Sequence, residues 1–410
     1  MKKAIGMLLA LAFCLTACAP ATAPESAAAD TADTAQQEAS APASAAGALP
    51  AGALRSSGTL GDTGEARYTV ASSLQDFTPG TTYELQVLRL DYATARQDCI
   101  YTVEMTVGED GLTQSGSLLV GNDAVYLFVG TTMYKIPLEG GEAETMTIQQ
   151  EIYPAAADDT SVYYFVFDEH NQYSGLRMDL TTGQCTELQL PPQTWDIWAV
   201  GESRFLLCRL LTDTPLPGPQ EGDAYNAALQ NATCEYDWYD PATGALEKMM
   251  SEPYYGTEQP DGSSRQHRFL GAGGGRLYFN WYGQVDGQIA DAGVESCDMT
   301  GGDWQPLTAI PEGVDGGEMG MQNGSLRWIG SYLATNDCLI YDVTTGKTWE
   351  NVPIDNNWPV AFTGDGRLLV DNSITEESGE FHEAYGLVDL EDYLNGTGEV
   401  TPVTLYNSAA

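Results

Sequence analysis

Short apolar runs separated by polar turns dominate the chain from about residue 60 to its end. The strongest runs are rich in aromatic and β-branched residues, and a turn containing Gly, Asn or Asp precedes them. This composition predicts strands that are buried on both faces. Helical periodicity is nearly absent, and the best helical stretch is residues 224–230. We therefore predict an all-β body, whose most apolar strands lie at residues 124–129, 162–167, 204–211, 276–282, 326–333 and 367–370.

A turn with the pattern D-x-x-T-G recurs along the same region. Complete copies begin at Asp179, Asp240 and Asp342, and a variant with two glycines begins at Asp298. The Asp side chain can accept hydrogen bonds from amides further along the turn, and Gly supplies the positive φ that a tight connection needs. Each copy therefore predicts a hairpin between antiparallel strands, and degenerate copies lie at residues 135–141 and 388–396.

The runs and turns combine into a repeat of about 45–60 residues. Each repeat contains a lead-in strand, a buried central strand, a third strand, the hairpin and an outer strand. Four antiparallel strands per repeat are typical of a β-propeller blade. Six clear repeats and an irregular one at residues 81–107 predict about seven blades, with six or eight as alternatives. Residues 66–71 are the candidate strand for closing the ring with the last blade, and a pair of stacked β-sandwiches is the competing fold.

Over residues 60–405 this repeat resembles the periplasmic and extracellular propellers of bacterial envelope proteins, in the quinoprotein-like and Tol-associated grouping. Two other propeller types fit less well. The repeats lack a Trp-Asp signature at their strand ends. Their glycine pairs fall in the outer hairpin, whereas kelch repeats carry them after a central strand. The resemblance implies a propeller ectodomain.

The N-terminus has the features of a bacterial lipoprotein signal. Lys2 and Lys3 precede an apolar run at residues 5–15, which is shorter than the roughly 20 residues that span a bilayer. The sequence then resembles the bacterial lipobox, with the residues Leu15, Thr16, Ala17 and Cys18. The resemblance implies that the chain is cut before Cys18 and that its thiol carries diacylglycerol, which anchors it without a spanning helix. The alternative is an ordinary secreted protein cleaved near Ala17.

The chain divides into three parts by composition. Residues 1–17 are the predicted lipoprotein signal peptide. Residues 18–58 are rich in Ala, Pro, Ser and Thr without an apolar period, so we predict a disordered tether that cannot bury enough surface to fold. Residues 59–410 are the predicted propeller domain. The expected location is the extracytoplasmic face of the cell membrane.

The charge excludes one class of partner. The chain has 58 acidic and 17 basic residues, which gives a net charge of -41. Such a protein repels phosphate backbones, so we expect no nucleic-acid binding. It is also repelled by an anionic lipid surface, and the lipid on Cys18 is therefore the predicted membrane contact.

Sequence motifs for catalysis are missing. The chain has no G-x-S-x-G, H-E-x-x-H, Walker A or dinucleotide-binding pattern. Its three histidines are far apart and flanked by polar residues, so we expect solvated loop histidines at His170, His267 and His382. The acidic pairs Asp158-Asp159 and Glu376-Glu377 are likewise expected to be solvated loop charge. We predict no catalytic, cofactor-binding or metal-binding residue.

Six cysteines follow Cys18, and none forms a C-x-x-C motif. Most of them lie in strand-like runs, so we expect buried free thiols. The best disulfide candidate is Cys208 with Cys234, which would close the long insertion at residues 212–233. The six are Cys99, Cys185, Cys208, Cys234, Cys297 and Cys338.

These features predict a membrane-anchored extracytoplasmic lipoprotein whose propeller acts as a non-catalytic binding or scaffolding module. Its ligand would be a protein, a peptide or a glycan. The alternative is an extracytoplasmic glycan hydrolase or lyase with carboxylates at the ring axis. A third interpretation is a structural component of envelope assembly. The 22 tyrosines and 8 tryptophans would suit ligand contact, but we expect blade packing to use most of them.

Overall fold

The computed structural model describes residues 52–56, 60–167, 173–213, 216–217, 221–258, 264–273, 275–285, 288–306, 326–329, 332–335, 340–342, 347–349, 352, 357–376 and 381–406. Within these ranges the chain is almost entirely antiparallel β-structure. The first strand is β1 (Arg55–Ser56). A three-stranded sheet follows, made of β2 (Ala66–Ser72), β3 (Thr82–Asp91) and β4 (Arg96–Thr106).

Six sheets of four or five strands form the blades of a β-propeller, and each blade follows the chain from its inner to its outer edge. Blade 1 contains β5 (Gly116–Val120), β6 (Ala124–Val129), β7 (Thr132–Pro137) and β8 (Glu144–Thr147). Blade 2 contains β9 (Ala156–Ala157), β10 (Ser161–Phe167), β11 (Tyr173–Asp179) and β12 (Cys185–Leu188), and β1 is added at its inner edge. Blade 3 contains β13 (Thr194–Ala199), β14 (Phe205–Leu211), β15 (Thr233–Tyr239) and β16 (Leu246–Pro253), with helix α1 (Gly222–Gln230) between β14 and β15.

Blade 4 contains β17 (Thr257–Glu258), β18 (Ser264–Gly273), β19 (Arg276–Val285), β20 (Gln288–Asp298) and β21 (Gln305–Pro306). Blade 5 contains β22 (Leu326–Ile329), β23 (Tyr332–Thr335), β24 (Ile340–Asp342) and β25 (Thr348–Trp349). Blade 6 contains β26 (Trp358–Phe362), β27 (Arg367–Asp371), β30 (Tyr385–Asp389) and β31 (Thr401–Pro402). The hairpin of β28 (Ile374–Thr375) and β29 (Phe381–His382) lies between β27 and β30, and helix α2 (Leu390–Asn395) follows β30.

The strands in the middle of a blade are its most buried part, as the sequence predicts. All six residues of β6 are buried, and five of the seven residues of β14 are buried. Side chains on the two faces of β14 pack against the two neighbouring blades: Leu206 joins a cluster shared with blade 4, and Phe205 joins one shared with blade 2. The hydrophobic core is therefore divided among the interfaces between successive blades.

The irregular repeat at residues 81–107 forms β3 and β4 of the three-stranded sheet, so the ring has six regular blades, which is one of the predicted alternatives. Val87 of this sheet packs with Val125 of blade 1, and Leu90 packs with Leu369 of blade 6. The sheet therefore stands in the ring between the first and the last blade.

The predicted closure of the ring by residues 66–71 is wrong. These residues belong to β2, which pairs with β3 because its buried residues Ala66 and Tyr68 complete the core shared with blade 1. The C-terminal segment makes the connection to the last blade. The amide of Thr404 donates to the carbonyl of Ala95 at 2.9 Å, and the amide of Gln97 donates to the carbonyl of Thr404 at 2.8 Å.

The predicted hairpin turns are confirmed where the structure describes them. In the turn at Asp179, the amides of Thr181 and Thr182 donate to the carboxylate at 2.9 and 2.8 Å, and Gly183 has a φ of 66°. The turns at Asp240 and Asp298 use the same interactions. The pKa of all three carboxyl groups is lowered, mainly by a backbone amide at Asp179 and mainly by a threonine hydroxyl at Asp240 and Asp298, with the other turn hydrogen bonds adding to the effect. Residues 343–346 of the fourth copy lie outside the described residues.

The strand connections define two faces of the ring. In blade 2, Ser161 pairs with Asp179, so the β9–β10 turn and the D-x-x-T-G hairpin lie at the same end; we call this the hairpin face. In blade 3, Leu211 pairs with Thr233 at the opposite end, where the insertion with α1 lies; we call this the insertion face. The predicted helical stretch at residues 224–230 is confirmed by α1. Neither helix in the described ranges has the length and apolar character needed to cross a bilayer.

Candidate functional site

The insertion face of blades 3 and 4 carries a group of charged and aromatic side chains. The three central strands of blade 4 have 10, 10 and 11 residues, whereas β14 and β15 of blade 3 have seven each. β19 of blade 4 begins at the hairpin face, as β14 of blade 3 does, since Arg276 pairs with Asp298 as Phe205 pairs with Tyr239. The additional residues of blade 4 therefore extend its insertion face.

His267 is the centre of this group. It lies on β18, its side chain is 14% exposed, and its Nδ1 atom is 2.8 Å from Oε2 of Glu252 on β16 of the adjacent blade. Its Nε2 atom is 3.5 Å from Oε2 of Glu295 on β20, which is an electrostatic contact instead of a strong hydrogen bond. The expectation of a solvated loop histidine is wrong here, because the ring lies in the interface between two blades.

The two glutamates keep His267 protonated. Burial lowers its pKa, but the hydrogen bond with Glu252 and the attraction of Glu295 outweigh this effect and raise the pKa to about 9. In return, His267 lowers the pKa of Glu295 against the opposing effect of burial, and Arg265 adds to this lowering. The imidazolium therefore acts as a positive link between two blades at neutral pH.

Arg265 extends the group to the surface. Its Nη1 atom is 2.8 Å from Oε1 of Glu295, and its side chain is 34% exposed. Its guanidinium carbon lies 3.8 Å from the centre of the Trp281 ring, which is a close cation–π contact. The His267 ring also packs against the Trp304 ring, and the two ring centres are 5.0 Å apart. Two cations and two carboxylates thus balance each other, and the planar Arg265–Trp281 pair remains partly open to solvent.

Tyrosines next to the insertion add aromatic surface. The rings of Tyr254 and Tyr255 are 5.1 Å apart in an edge-to-face contact, and Tyr255 is 38% exposed. The amide of Tyr254 donates to the carbonyl of Ala232, which fixes this loop to the end of the insertion. Leu229 of α1 packs into the core shared by blades 3 and 4, so the helix is held against the same region.

Residues 52–56, which lie within the range of the predicted tether, contact the hairpin face. The amide of Leu54 donates to the carbonyl of Glu202 at 2.8 Å, and Nη1 of Arg55 donates to the carbonyl of Val120 at 2.8 Å. β1 also pairs with β9, so this segment contacts the inner edges of blades 1, 2 and 3. Asp159 accepts a hydrogen bond from the amide of Gly52 at 3.2 Å, whereas the Asp158 carboxylate accepts from residues 160, 161 and 163 of its own turn and strand. The acidic pair is therefore not merely solvated loop charge.

Several predicted residues cannot be compared. Leu15, Thr16, Ala17 and Cys18 lie outside the described residues, as do His170, Cys338 and Glu377. His382 is 45% exposed, and its Nε2 atom lies 3.2 Å from a carboxylate oxygen of Glu376, which confirms the expectation for this histidine. The five described cysteines are free thiols; three are buried and two are half-buried.

Sequence reasoning missed Arg265, Trp281 and Tyr255. The missed signal lies in residues 264–268, where β18 reads Ser-Arg-Gln-His-Arg. Three basic residues out of five are unusual for a strand in a chain with only 17 Lys and Arg residues, and they require acidic or aromatic neighbours.

No protein-family model matches the chain, and no curated protein matches it. Among solved structures, it is similar to an oligogalacturonate lyase in complex with manganese, with 14% identity, coverage of 81% of this chain and 87% of that chain, and a TM-score of 0.42. It is also similar to the β-propeller domain of the Trilobed protease from Pyrococcus furiosus, with 11% identity, 70% and 85% coverage, and a TM-score of 0.35. TolB from Acinetobacter baumannii has 13% identity, 82% coverage of each chain and a TM-score of 0.28. At these scores the similarities carry no functional argument, and the fold rests on the strand order.

Proposed function

We propose that the protein is a lipoprotein, anchored through Cys18 at the extracytoplasmic face of the cell membrane, whose propeller binds a protein, peptide or glycan without catalysis. The observation that supports this proposal best is the separation of two features on opposite faces. The chain enters the propeller at the hairpin face through residues 52–56. The partly open Arg265–Trp281 pair lies at the insertion face.

This arrangement directs the insertion face away from the membrane. The residues between Cys18 and Gly52 lead to the hairpin face, and a flexible chain of that length has a typical reach of about 30 Å. The net charge of -41 repels the body from anionic lipid. The insertion face would then point away from the membrane, where ligands on the extracytoplasmic side can reach it.

The chemistry of the insertion face fits a binding role. A guanidinium stacked on an indole offers a flat surface with hydrogen-bond donors at its edge, which suits sugar rings and aromatic or acidic peptide side chains. Tyr255 adds a second exposed ring. Glu252 and Glu295 both contact His267, and Glu295 also pairs with Arg265. These contacts hold the Arg265 side chain in place.

Metabolic labelling with an alkyne analogue of palmitate tests the anchor. We expect the label on the wild-type protein and its loss in Cys18→Ser, together with a shift from the membrane to the soluble fraction. Recovery of a wild-type mature form that is water-soluble and lacks acyl groups would contradict the anchor.

Two capture experiments with the full-length protein in detergent test the binding face. In one the protein is applied to a glycan array, and in the other it captures ligands from envelope extracts. We expect Arg265→Ala to lose the captured ligand. The matched control is Arg204→Ala, because Arg204 also lies over an indole ring, that of Trp238, but at the hairpin face. Equal capture by both variants would argue against the insertion face.

The alternative of a glycan hydrolase or lyase is favoured by one observation, the approach of Glu252 and Glu295 to the same histidine. The purified protein is therefore incubated with envelope glycans, and the products are measured by mass spectrometry. Cleavage that is abolished by Glu252→Gln or Glu295→Gln, in variants with unchanged thermal unfolding, would replace the non-catalytic proposal.

A further inference from the structure

Two cysteines of blade 3 lie next to each other beneath the insertion. Cys208 on β14 is 4% exposed and Cys234 on β15 is 2% exposed. Cys208 pairs with Tyr236 and Cys234 pairs with Leu210, so the two thiols are diagonal neighbours on the same face of the sheet. Their side chains are hydrogen-bonded to each other. The sequence places residues 212–233, including α1, between them.

Arg268 gives the pair an unusual electrostatic environment. Its Nη1 atom donates to Sγ of Cys234 at 3.7 Å and to the carbonyl of His267 at 3.0 Å. Its guanidinium also lies over the Tyr254 ring at 4.9 Å. Its Nη2 atom donates to Oε1 of Gln266 at 3.1 Å, and none of the ion pairs found in the described ranges involves Arg268. A partly buried cation without a carboxylate favours a thiolate as its counter-charge.

The two thiols differ in acidity. The hydrogen bond from Cys208 and the charge of Arg268 lower the pKa of Cys234, against the effect of burial. The hydrogen bond with Cys234 and burial raise the pKa of Cys208. The ionisable groups that face the pair from the surrounding strands are Asp196, Tyr236, Glu252, Tyr254 and Arg268. Cys234 therefore has the properties of an attacking thiol, and Cys208 those of a resolving thiol.

We propose that Cys208 and Cys234 form a hydroperoxide-reactive dithiol that closes reversibly to a disulfide at the base of the insertion. The Cys234 thiolate attacks one oxygen of hydrogen peroxide, the O–O bond breaks, and the departing hydroxide takes a proton to form water. Cys234 is then a sulfenic acid. The sulfur of Cys208 attacks it, loses its own proton, and expels the hydroxyl group as a second water. Two thiols lose two electrons, and the peroxide gains them.

The position gives this reaction a structural consequence. A bridge between Cys208 and Cys234 ties together the two strands from which the insertion emerges, and it would restrict the motions of α1. Diagonal strand neighbours are about 7–8 Å apart, which is just beyond the roughly 7 Å at which a disulfide closes without backbone movement. Closure of the bridge therefore requires a local shift of β14 and β15, and we expect mild reductants to open the strained bond.

Peptide mapping of the full-length protein in detergent tests the proposal. The reduced protein is treated with hydrogen peroxide at pH 7, alkylated with iodoacetamide and digested without reductant. We expect a cross-linked peptide pair containing Cys208 and Cys234, which dithiothreitol removes. Cys297, which is buried without this arginine contact, is the internal control and remains reduced. Modification of Cys99 and Cys185 with both blade 3 thiols left reduced would overturn the proposal.

Variants separate reactivity from packing. In Cys208→Ser we expect the reaction to stop at a sulfenic acid on Cys234, which dimedone traps. Arg268→Met should slow the oxidation at pH 7 severalfold, because it removes the positive charge that lowers the pKa of the Cys234 thiol. Arg268→Lys keeps the charge and should restore most of the rate. Equal rates and equal pH profiles for Met and Lys at this position would refute the role of Arg268, and thermal unfolding of each variant shows whether it is folded.

Discussion

His267 makes the stability of the propeller depend on pH in a direction that can be measured. Its pKa is about 9 in the folded chain against an ordinary value of 6.5. Each unit of pKa difference corresponds to about 1.4 kcal/mol, so the protonated ring contributes about 3 kcal/mol to the free energy of unfolding. The side chain is mostly buried, and solvent screening therefore reduces this contribution little.

The sign follows from the direction of the shift. Because the folded state holds the proton more tightly than the unfolded state, the contribution is complete below pH 6.5 and is lost as the pH rises to 9. We expect His267→Gln to lower the free energy of unfolding by about 2–3 kcal/mol at pH 6, since two buried carboxylates lose their cation. The difference between wild type and variant should shrink toward pH 9.5.

Urea unfolding followed by tryptophan fluorescence measures this difference. The full chain with Cys18→Ser serves as the background, because this change leaves the propeller sequence intact. His382→Gln is the matched control, since His382 is exposed and pairs with one exposed carboxylate. We expect it to change the free energy of unfolding by less than about 0.5 kcal/mol at every pH. A His267→Gln effect that is equally large at pH 6 and pH 9.5 would falsify the electrostatic explanation and indicate a packing role.

Three further predictions concern the fold. Gly183→Ala should destabilise the protein more than Gly244→Ala. Both glycines have a positive φ, but among the described atoms only the Cβ added at Gly183 would approach a methionine sulfur, at 2.9 Å. Differential scanning fluorimetry compares the unfolding midpoints of the two variants, and equal midpoints would contradict the contact. Leu54→Ala removes a buried side chain from residues 52–56 and should lower the free energy of unfolding by about 2–4 kcal/mol. We also expect faster proteolysis after residue 56, and an unchanged cleavage rate would argue against firm packing of this segment. Deletion of residues 403–410 should lower the unfolding midpoint because it removes the strand contacts that close the ring, whereas deletion of residues 407–410 should not; equal midpoints would contradict this closure.

The sequence predicts the blades well because a blade is a local structure. The D-x-x-T-G turn joins neighbouring strands, and its aspartate and glycine have the same role in the copies at Asp179 and Asp240. The buried second strand is also a local signal, since a run such as residues 124–129 has no polar face to present to water. These features need no information about the rest of the chain.

Ring closure could not be predicted in the same way. Both residues 66–71 and residues 401–406 are short strand-like segments near an end of the propeller. The choice between them depends on which one faces the outer edge of β4, and this is a contact between residues about 300 positions apart. Turn chemistry and periodicity carry no information at this separation.

One error made from the sequence and two irregular features of the repeat lie in the same region of the molecule. His267 was expected in a solvated loop, but it lies between blades 3 and 4. The strands of blade 4 are longer than the repeat requires, and the best helical stretch found in the sequence lies in the adjacent insertion. A regular blade needs none of these features, because apolar side chains alone can fill an interface between blades. Local departures from a repeat that cluster at one face are expected where a repeat protein has been adapted to a ligand. The insertion face of blades 3 and 4 is therefore the region where substitutions should separate binding from folding.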